Sequence, residues 1–409
     1  MIKIFSRLAL GALCGLSGAV LAGEDFDRLL AQALANHPAV EGRRAGLQAA
    51  QAEREGTEWQ RYPTPSIEAS TRDSGGNTAL FALEQPLWTG GRISAGIAAA
   101  GFREAAAAAA VVEAKQGVAL RLIAAYTDIL RQQQRQDYAT TSATEHDRLL
   151  QMISRRVDQE VSPPADRDFA RARLAQAATE VSLANQGLQV AQGQLAQLVG
   201  HSVVAINDVK LEGRALPATQ DEAMTRAVAR SPVLARLEQT ALAAGEDVES
   251  KRAAVFPQLA VRLEKQTGTL PDERVMLVLR MQPGAGLSAS SAIAAAQRRQ
   301  EEARQAREEA TRTLREQVQT AFTEWRAAQV RLESTRLSAG MAQAVFDSYA
   351  RQYVAGRKGW IDVLNAVREI SQSQFALADA ESLLRGSGLR LWLLTGEAPL
   401  GDVPVEAPR

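Results

Sequence analysis

Few side chains in this sequence have the types and spacing that chemistry requires. The three histidines, His37, His146 and His201, stand far apart with no ligand spacing, and the single cysteine, Cys14, lies in an N-terminal apolar run. No nucleophile elbow, phosphate-binding loop or supported acid pair occurs. Neither catalysis nor a cofactor or metal centre is expected, and the histidines read as surface or equatorial polar residues. What remains are two short charged segments that answer each other: "DQEVSPPAD" (158–166) and "VAGRKGWID" (354–362) are separated by a constant offset of 196. Each ends on a carboxylate, Asp166 or Asp362, near the start of an expected helix, where a carboxylate can cap free backbone N–H groups.

The elements that would carry these segments follow from composition and repetition. Ala, Gln, Arg and Leu dominate and aromatics make up only 5% of the 409 residues, which favours long helices in thin layers over one thick core. Lysine plus arginine equals aspartate plus glutamate at 47 each, so the footprint of a nucleic-acid partner is missing. Residues 1–22 place Lys3 and Arg7 before an uncharged run from Leu8 to Leu21, with Val20 and Ala22 preceding Gly23. That is the pattern of a secretory signal peptide cleaved after Ala22. The run is shorter than the roughly 20 residues of a spanning helix. Leu13 precedes Cys14 and the apolar run continues beyond it, so no lipid anchor is expected. No later stretch reads as a transmembrane helix, which leaves β-strands as the route into a membrane.

The chain is duplicated. Pro38 pairs with Pro232 and Pro63 with Pro257 at an offset of 194; "IAAA" at Ile97 and at Ile293, and Gly200 and Gly396, pair at 196. The halves, 23–200 and 220–396, flank a linker at 201–219, and a tail follows at 397–409. Each half predicts one helix (24–59; 220–254), a β-hairpin, a very long helix (92–158; 288–354) and a return helix (165–198; 361–394). Apolar residues at spacings of three and four, Leu122, Tyr126 and Ile129 or Val318, Phe322 and Trp325, indicate coiled-coil-like packing between neighbouring rods.

The hairpin segments alternate with period two. Ile67, Ala69 and Thr71 oppose Glu68, Ser70 and Arg72; Leu259, Val261 and Leu263 oppose Ala260, Arg262 and Glu264; Phe81, Leu83 and Leu87 oppose Glu84; and Val275, Leu277, Leu279 and Met281 oppose Arg280 and Gln282. A soluble sheet capping the helices and a membrane barrel both fit this pattern. Four strands do not close a barrel, for which about eight are needed, so a barrel requires several copies, and periodicity does not choose their number. The stretch "EQPLWTGGRISAGIAAA" joins strand to rod: Pro86 ends the strand, Trp88 suits an interfacial aromatic belt, and Gly90 and Gly91 permit a sharp turn. Its second copy, "MQPGAGLSASSAIAAA", keeps Pro283, Gly284 and Gly286.

With these features the sequence resembles the TolC family of outer-membrane efflux and secretion ducts over nearly its whole mature length. Gln85 to Arg92 match the pattern Q-P-L-aromatic-x-G-G-R, and Tyr353, Gly356, Asp362, Val363 and Leu364 match Y-x-x-G followed by D-V-L. The resemblance implies a mostly α-helical homotrimer whose long antiparallel helices form an α-helical barrel in the periplasm. Two β-hairpins would contribute four strands per chain to a 12-stranded barrel in the outer-membrane lipid of a Gram-negative cell. It implies an equatorial belt drawn from 201–219 and the C-terminal tail. It also implies partners, a periplasmic adaptor (membrane fusion) protein and an inner-membrane ABC or proton-driven transporter, and no catalysis. Matched residue by residue, Asp362 falls on the pore-constricting carboxylate and Asn365 on the place of a second one, while Asp166, Tyr353 and Lys358 fall on positions linking the tips in a closed state. Lys358 stands where a close branch has arginine, and an ammonium lacks the bidentate fork. Glu160, Val161, Ser162 and Pro163 at one tip, and Gly356, Arg357, Gly359 and Trp360 at the other, are the adaptor-contacting candidates. Glu160 and Pro163-Pro164 replace the glycine and small apolar residues of the family pattern. The aromatic Q-P-L-W form and the "RYPTPSIEA" segment lean towards type I protein secretion over tripartite efflux. A periplasmic adaptor, with one helical hairpin inside β-rich domains, and a soluble helical scaffold are the alternatives.

Overall fold

The computed structural model describes residues 24–72, 76–268, 272–282 and 288–401. The leader at 1–22, both hairpin turns, Pro283, Gly284 and Gly286, and the end of the tail lie outside the described residues. The first half comprises α1 (Phe26–Asn36), α2 (Pro38–Glu58), β1 (Thr64–Arg72), β2 (Gly76–Trp88), α3 (Arg92–Asp158) and α4 (Pro164–Val199). The second comprises α5 (Gln220–Arg230), α6 (Pro232–Ala253), β3 (Gln258–Thr267), β4 (Asp272–Arg280), α7 (Ser288–Val354) and α8 (Trp360–Leu394).

The single opening helix expected in each half is two helices. Pro38 and Pro232 each start the second of the pair, and the residues before them are extended, with ψ of 129° at His37 and 119° at Ser231. A proline ring excludes the preceding residue from the helical region but is pre-organised for a first helical position. The break is capped locally: His37 Nδ1 accepts from the Ala39 N–H at 3.0 Å, and Ser231 Oγ from the Leu234 N–H at 3.3 Å. His37 is therefore a helix cap.

The rods α3 and α7 are 67 residues each, about 100 Å at roughly 1.5 Å per residue. Contrary to the expectation that no later segment is apolar enough to span a membrane, α3 contains an 18-residue window of mean hydropathy 1.4. Alanine accounts for it. Ala95, Ala99, Ala100, Ala105 and Ala109 are buried in the upper rod, which packs on α2 and α6, and small side chains let helices approach closely. Nearer the tips, α3 packs on α4 and α8, and α7 on α8. In α4 the buried alanines Ala170, Ala177, Ala184 and Ala191 recur every seven residues, the period of a left-handed coiled coil.

Between the upper and lower rods an equatorial core gathers α1, α3, the segment 201–219 and the chain's last described residues. Tyr126 is fully buried, its hydroxyl 2.6 Å from the Asn207 carbonyl and 3.2 Å from that of Glu24, with Phe26 edge-on at 5.3 Å. Arg214 grips both carboxylate oxygens of Asp27 at 2.9 and 3.0 Å. Its guanidinium lies 5.2 Å from the Phe26 ring and 4.4 Å from that of Trp392, so one side chain ties the linker to both halves. Ala398 and Leu400 join this core, and Lys115 Nζ donates to the Leu400 carbonyl at 2.8 Å.

The two hairpins merge into one antiparallel sheet in the order β1-β2-β3-β4, with a bulge between Pro86 and Trp88. At the far ends both rods stop in the same six-to-one turn: the Val161 N–H meets the Arg156 carbonyl at 2.9 Å and the Arg357 N–H meets the Gln352 carbonyl at 2.8 Å. That turn needs a left-handed residue. Gly356 supplies it at φ 73°, whereas its counterpart Glu160 adopts φ 60°, at a cost of about 1 kcal/mol for a residue with a Cβ. Glu160→Gly is expected to slow amide hydrogen exchange over 156–163, and Gly356→Glu to speed it over 352–359, both read by mass spectrometry on the full chain.

Candidate functional site

Strand register sorts the sheet into two chemically opposite faces. Ile67 sits opposite Phe81; Leu83, Leu263 and Val275 form one cross-strand row, and Val261 and Leu277 pair in the next. This apolar face is bare: Ile67 is 72% exposed, Val275 69% and Leu279 70%. On the other face Glu264 is only 7% exposed. It is held by Arg274 at 2.6 Å and Arg262 at 3.2 Å, while Glu84 lies 3.6 Å from Arg262 and 3.5 Å from Arg280. Apart from the Lys265–Glu273 ion pair in the row of Ile67 and Phe81, charges tucked in and aliphatics turned out reverse the order of a soluble sheet. Lipid outside and water inside account for it.

Below the sheet, Gly90 and Gly91 turn the chain into α3 at φ 63° and 93°. A Cβ on Gly90 would meet the Phe256 Cβ at 3.0 Å and the Ala253 carbonyl at 3.1 Å, so both conformation and space demand glycine. Trp88 is 51% exposed beside this turn. Sequence reasoning missed its companions: Trp59, Tyr62 and Phe256 are exposed as well, with the Trp59 and Tyr62 rings 5.2 Å apart. The signal was present, since Tyr62 and Phe256 immediately precede the paired prolines Pro63 and Pro257.

The rod tips hold most of the remaining candidates. Asp362 takes the third position of α8; its Oδ2 accepts from the Gly359 N–H at 3.3 Å and lies 3.9 Å from Lys358 Nζ. Asp166 takes the third position of α4, whose N-cap, Pro163, makes no side-chain cap. The carboxylate instead accepts from the Trp360 indole N–H at 3.1 Å. Trp360, expected on the outward contact surface, is half-buried between the tips with its ring edge-on to Phe169 at 5.7 Å, and Arg173 covers Phe169 at 4.9 Å. Lys358 turns to the Tyr349 ring at 4.3 Å and, among the described residues, makes no ion pair with Asp166. Tyr353 is buried near Arg156, 5.8 Å from its ring, with its hydroxyl unpartnered among the described residues. Asn365 is exposed one turn beyond Asp362. Glu160, Val161, Pro163, Gly356, Arg357 and Gly359 are exposed and Ser162 half-buried.

Higher in the α3/α8 seam, His146 is buried rather than surface-placed. Its Nδ1 lies 2.8 Å from the Ser142 carbonyl, which only accepts, so Nδ1 carries the proton. Ser371 Oγ donates to Ser142 Oγ at 2.7 Å. Among the described residues no group of three or more His, Cys, Asp or Glu side chains could hold a metal.

The family profile described as outer membrane efflux protein matches residues 29–201 and 223–397, both halves of the chain. The cobalt-zinc-cadmium resistance protein CzcC of Cupriavidus metallidurans is 27% identical over 322 residues, 76% of each chain. Among solved structures, the outer-membrane channel OprN superposes with a TM-score of 0.82 at 20% identity, covering 91% of this chain and 89% of that one. The outer membrane protein VceC of Vibrio cholerae superposes with a TM-score of 0.81 at 17% identity, covering 91% and 96%.

Replacing Trp360 by Phe keeps the aromatic contact and removes only the hydrogen bond to Asp166, a loss of about 1 kcal/mol. Faster amide exchange confined to 162–170 and 358–364 is the expected reading; unchanged exchange there means the bond does not hold the tips together.

Proposed function

The chain belongs to the outer membrane efflux protein family, a family of outer-membrane channels and not of enzymes, and on that premise we propose that it is the exit duct of a tripartite efflux system. Three copies would close the sheet into a 12-stranded barrel, and α3, α4, α7 and α8 would form the tunnel below it. Cargo would arrive from an inner-membrane ABC or proton-driven transporter through a periplasmic adaptor. The observation that carries this reading is the sheet with its lipid-ready outer face and paired inner charges, set on top of two 67-residue rods.

Unpartnered surfaces support association with further copies. Among the described residues both sheet edges, β1 and β4, are open. On α4 the exposed Phe169, Leu183 and Val190 lie on one seven-residue series, and on α7 Val330, Leu337 and Met341 are exposed. Neighbouring copies that set these stripes together would bury them as coiled-coil seams. Two readings of the cargo differ: the likeness to a cation-resistance protein favours efflux, whereas the Gln85–Arg92 motif leans towards protein secretion. Deleting the gene decides between them, since efflux predicts raised drug or metal sensitivity and secretion predicts an exported protein missing from the medium. Carbonate-resistant membrane association and a heat-sensitive oligomer are expected of the duct; extraction without detergent would point to the adaptor or scaffold alternative.

At the periplasmic end the same reading makes Asp362 the constriction. Asn365 continues its face, and Asp166, Tyr353 and Lys358 sit among the residues that hold the tips. Glu160, Val161, Ser162, Pro163, Gly356, Arg357 and Gly359 would offer the adaptor a surface. Carboxylates from several copies around one axis repel each other and attract cations. In planar bilayers Asp362→Ala is expected to raise single-channel conductance and weaken block by multivalent cations, and an unchanged conductance removes Asp362 from the constriction.

A further inference from the structure

The inner face of the sheet sorts its charges by height. Register places Glu68 and Asp272 in one row, through Leu80 and Gln266, with Arg72 further out on the same face. The next two rows are neutralised from within: Arg274 and Arg262 hold Glu264, and Arg262 also approaches Glu84. Arg280 closes the chain of pairs with one long contact to Glu84, 3.5 Å. Below it Arg92, the first residue of α3, makes no ion pair or side-chain hydrogen bond among the described residues. Arg92 and Arg280 line the same cavity of about 570 Å³ at the base of the sheet, with Gln60, Thr64 and Gln258 beside them and one carboxylate, Glu84, which Arg262 shares. The polar face thus runs from paired charges in its middle to two guanidinium groups at the junction with the helices, of which only Arg280 has a carboxylate partner among the described residues.

We propose that this junction is an anion-selective ring, in which Arg92 and Arg280 of each copy line the lumen and bind carboxylate- or phosphate-bearing solutes in transit. The proposal rests on the reading of the chain as an outer-membrane duct formed by several copies. Guanidinium is the suitable group, because it stays charged at any working pH and its planar fork matches a carboxylate or phosphate. Repetition around an axis in a narrow, low-dielectric wall strengthens the field beyond what one pair exerts. The carboxylate at Asp362 and this ring then oppose each other along the tunnel, so bare divalent cations are disfavoured at the exit relative to organic anions or anionic complexes.

The test is electrical and uses the full-length protein in planar bilayers at low ionic strength, where screening is weak. In a potassium chloride gradient, Arg92→Gln/Arg280→Gln is expected to shift the reversal potential towards cation selectivity, lowering the chloride-to-potassium permeability ratio about threefold. Inorganic pyrophosphate added on the barrel side is expected to block the unaltered channel and to lose that block in the double variant. Arg92→Gln alone, outside the strand ladder, is expected to give part of both effects and serves if the double variant fails to assemble. Conducting variants with unchanged reversal potential and unchanged pyrophosphate block overturn the ring while leaving the duct intact. An unaltered protein that forms oligomers but no channels overturns the duct and the ring together.

Discussion

A sheet that faces lipid cannot leave its edges open. In hydrocarbon no water satisfies a free backbone N–H or C=O, so every strand must find a neighbour on both sides. Four strands with open edges at β1 and β4 therefore impose more than one copy on the whole architecture. Once copies must close a ring at the top, the rods beneath are brought around the same axis, and their exposed seven-residue stripes become seams. The duplication supplies two equivalent rod pairs per chain, so a ring assembled from few copies still has many staves.

The rods are held in register at their middle. Tyr126, Arg214 and the bridge between Glu24 and Ile206 fix the linker and the first described residues against α3 and α8. Burial raises the Tyr126 pKa well above its ordinary value, so the hydroxyl remains a donor and the contact is insensitive to pH below strongly alkaline conditions. With the middle fixed and the sheet closed, the tips are the free ends. Their contacts include the hydrogen bond from Trp360 to Asp166, the cap and ion pair of Asp362 with Gly359 and Lys358, and an apolar core of Leu149, Ile153, Phe346, Val363 and Leu364.

The duplicated halves share backbone geometry at their tips and differ in the side chains that adopt it. Both tips use the same turn, yet one places glycine and the other glutamate at the left-handed position. A small strain at Glu160 is tolerated there, in keeping with an exposed side chain at the end of a rod. At the other end the aromatic residues cluster near the first half's turn, with Phe256 representing the second.

Much of this was legible in one dimension. The offsets of 194 and 196 disclosed the duplication, the proline-free runs gave the rods their observed ends, and period-two alternation identified the faces of the strands, because each signal is local and set by backbone geometry. The break at Pro38 and Pro232 was also in the sequence, since the exclusion of the preceding residue is local too. What only the tertiary structure decided were the pairings across the chain. No periodicity assigns Asp166 to Trp360, places His146 in a seam rather than at the surface, or threads Arg214 between Phe26 and Trp392. Nor does it set Glu84 of the first half between Arg262 and Arg280 of the second. Those contacts depend on which helix face meets which and on the relative height of strands far apart in sequence, and that is fixed when the two halves pack, not by either half alone.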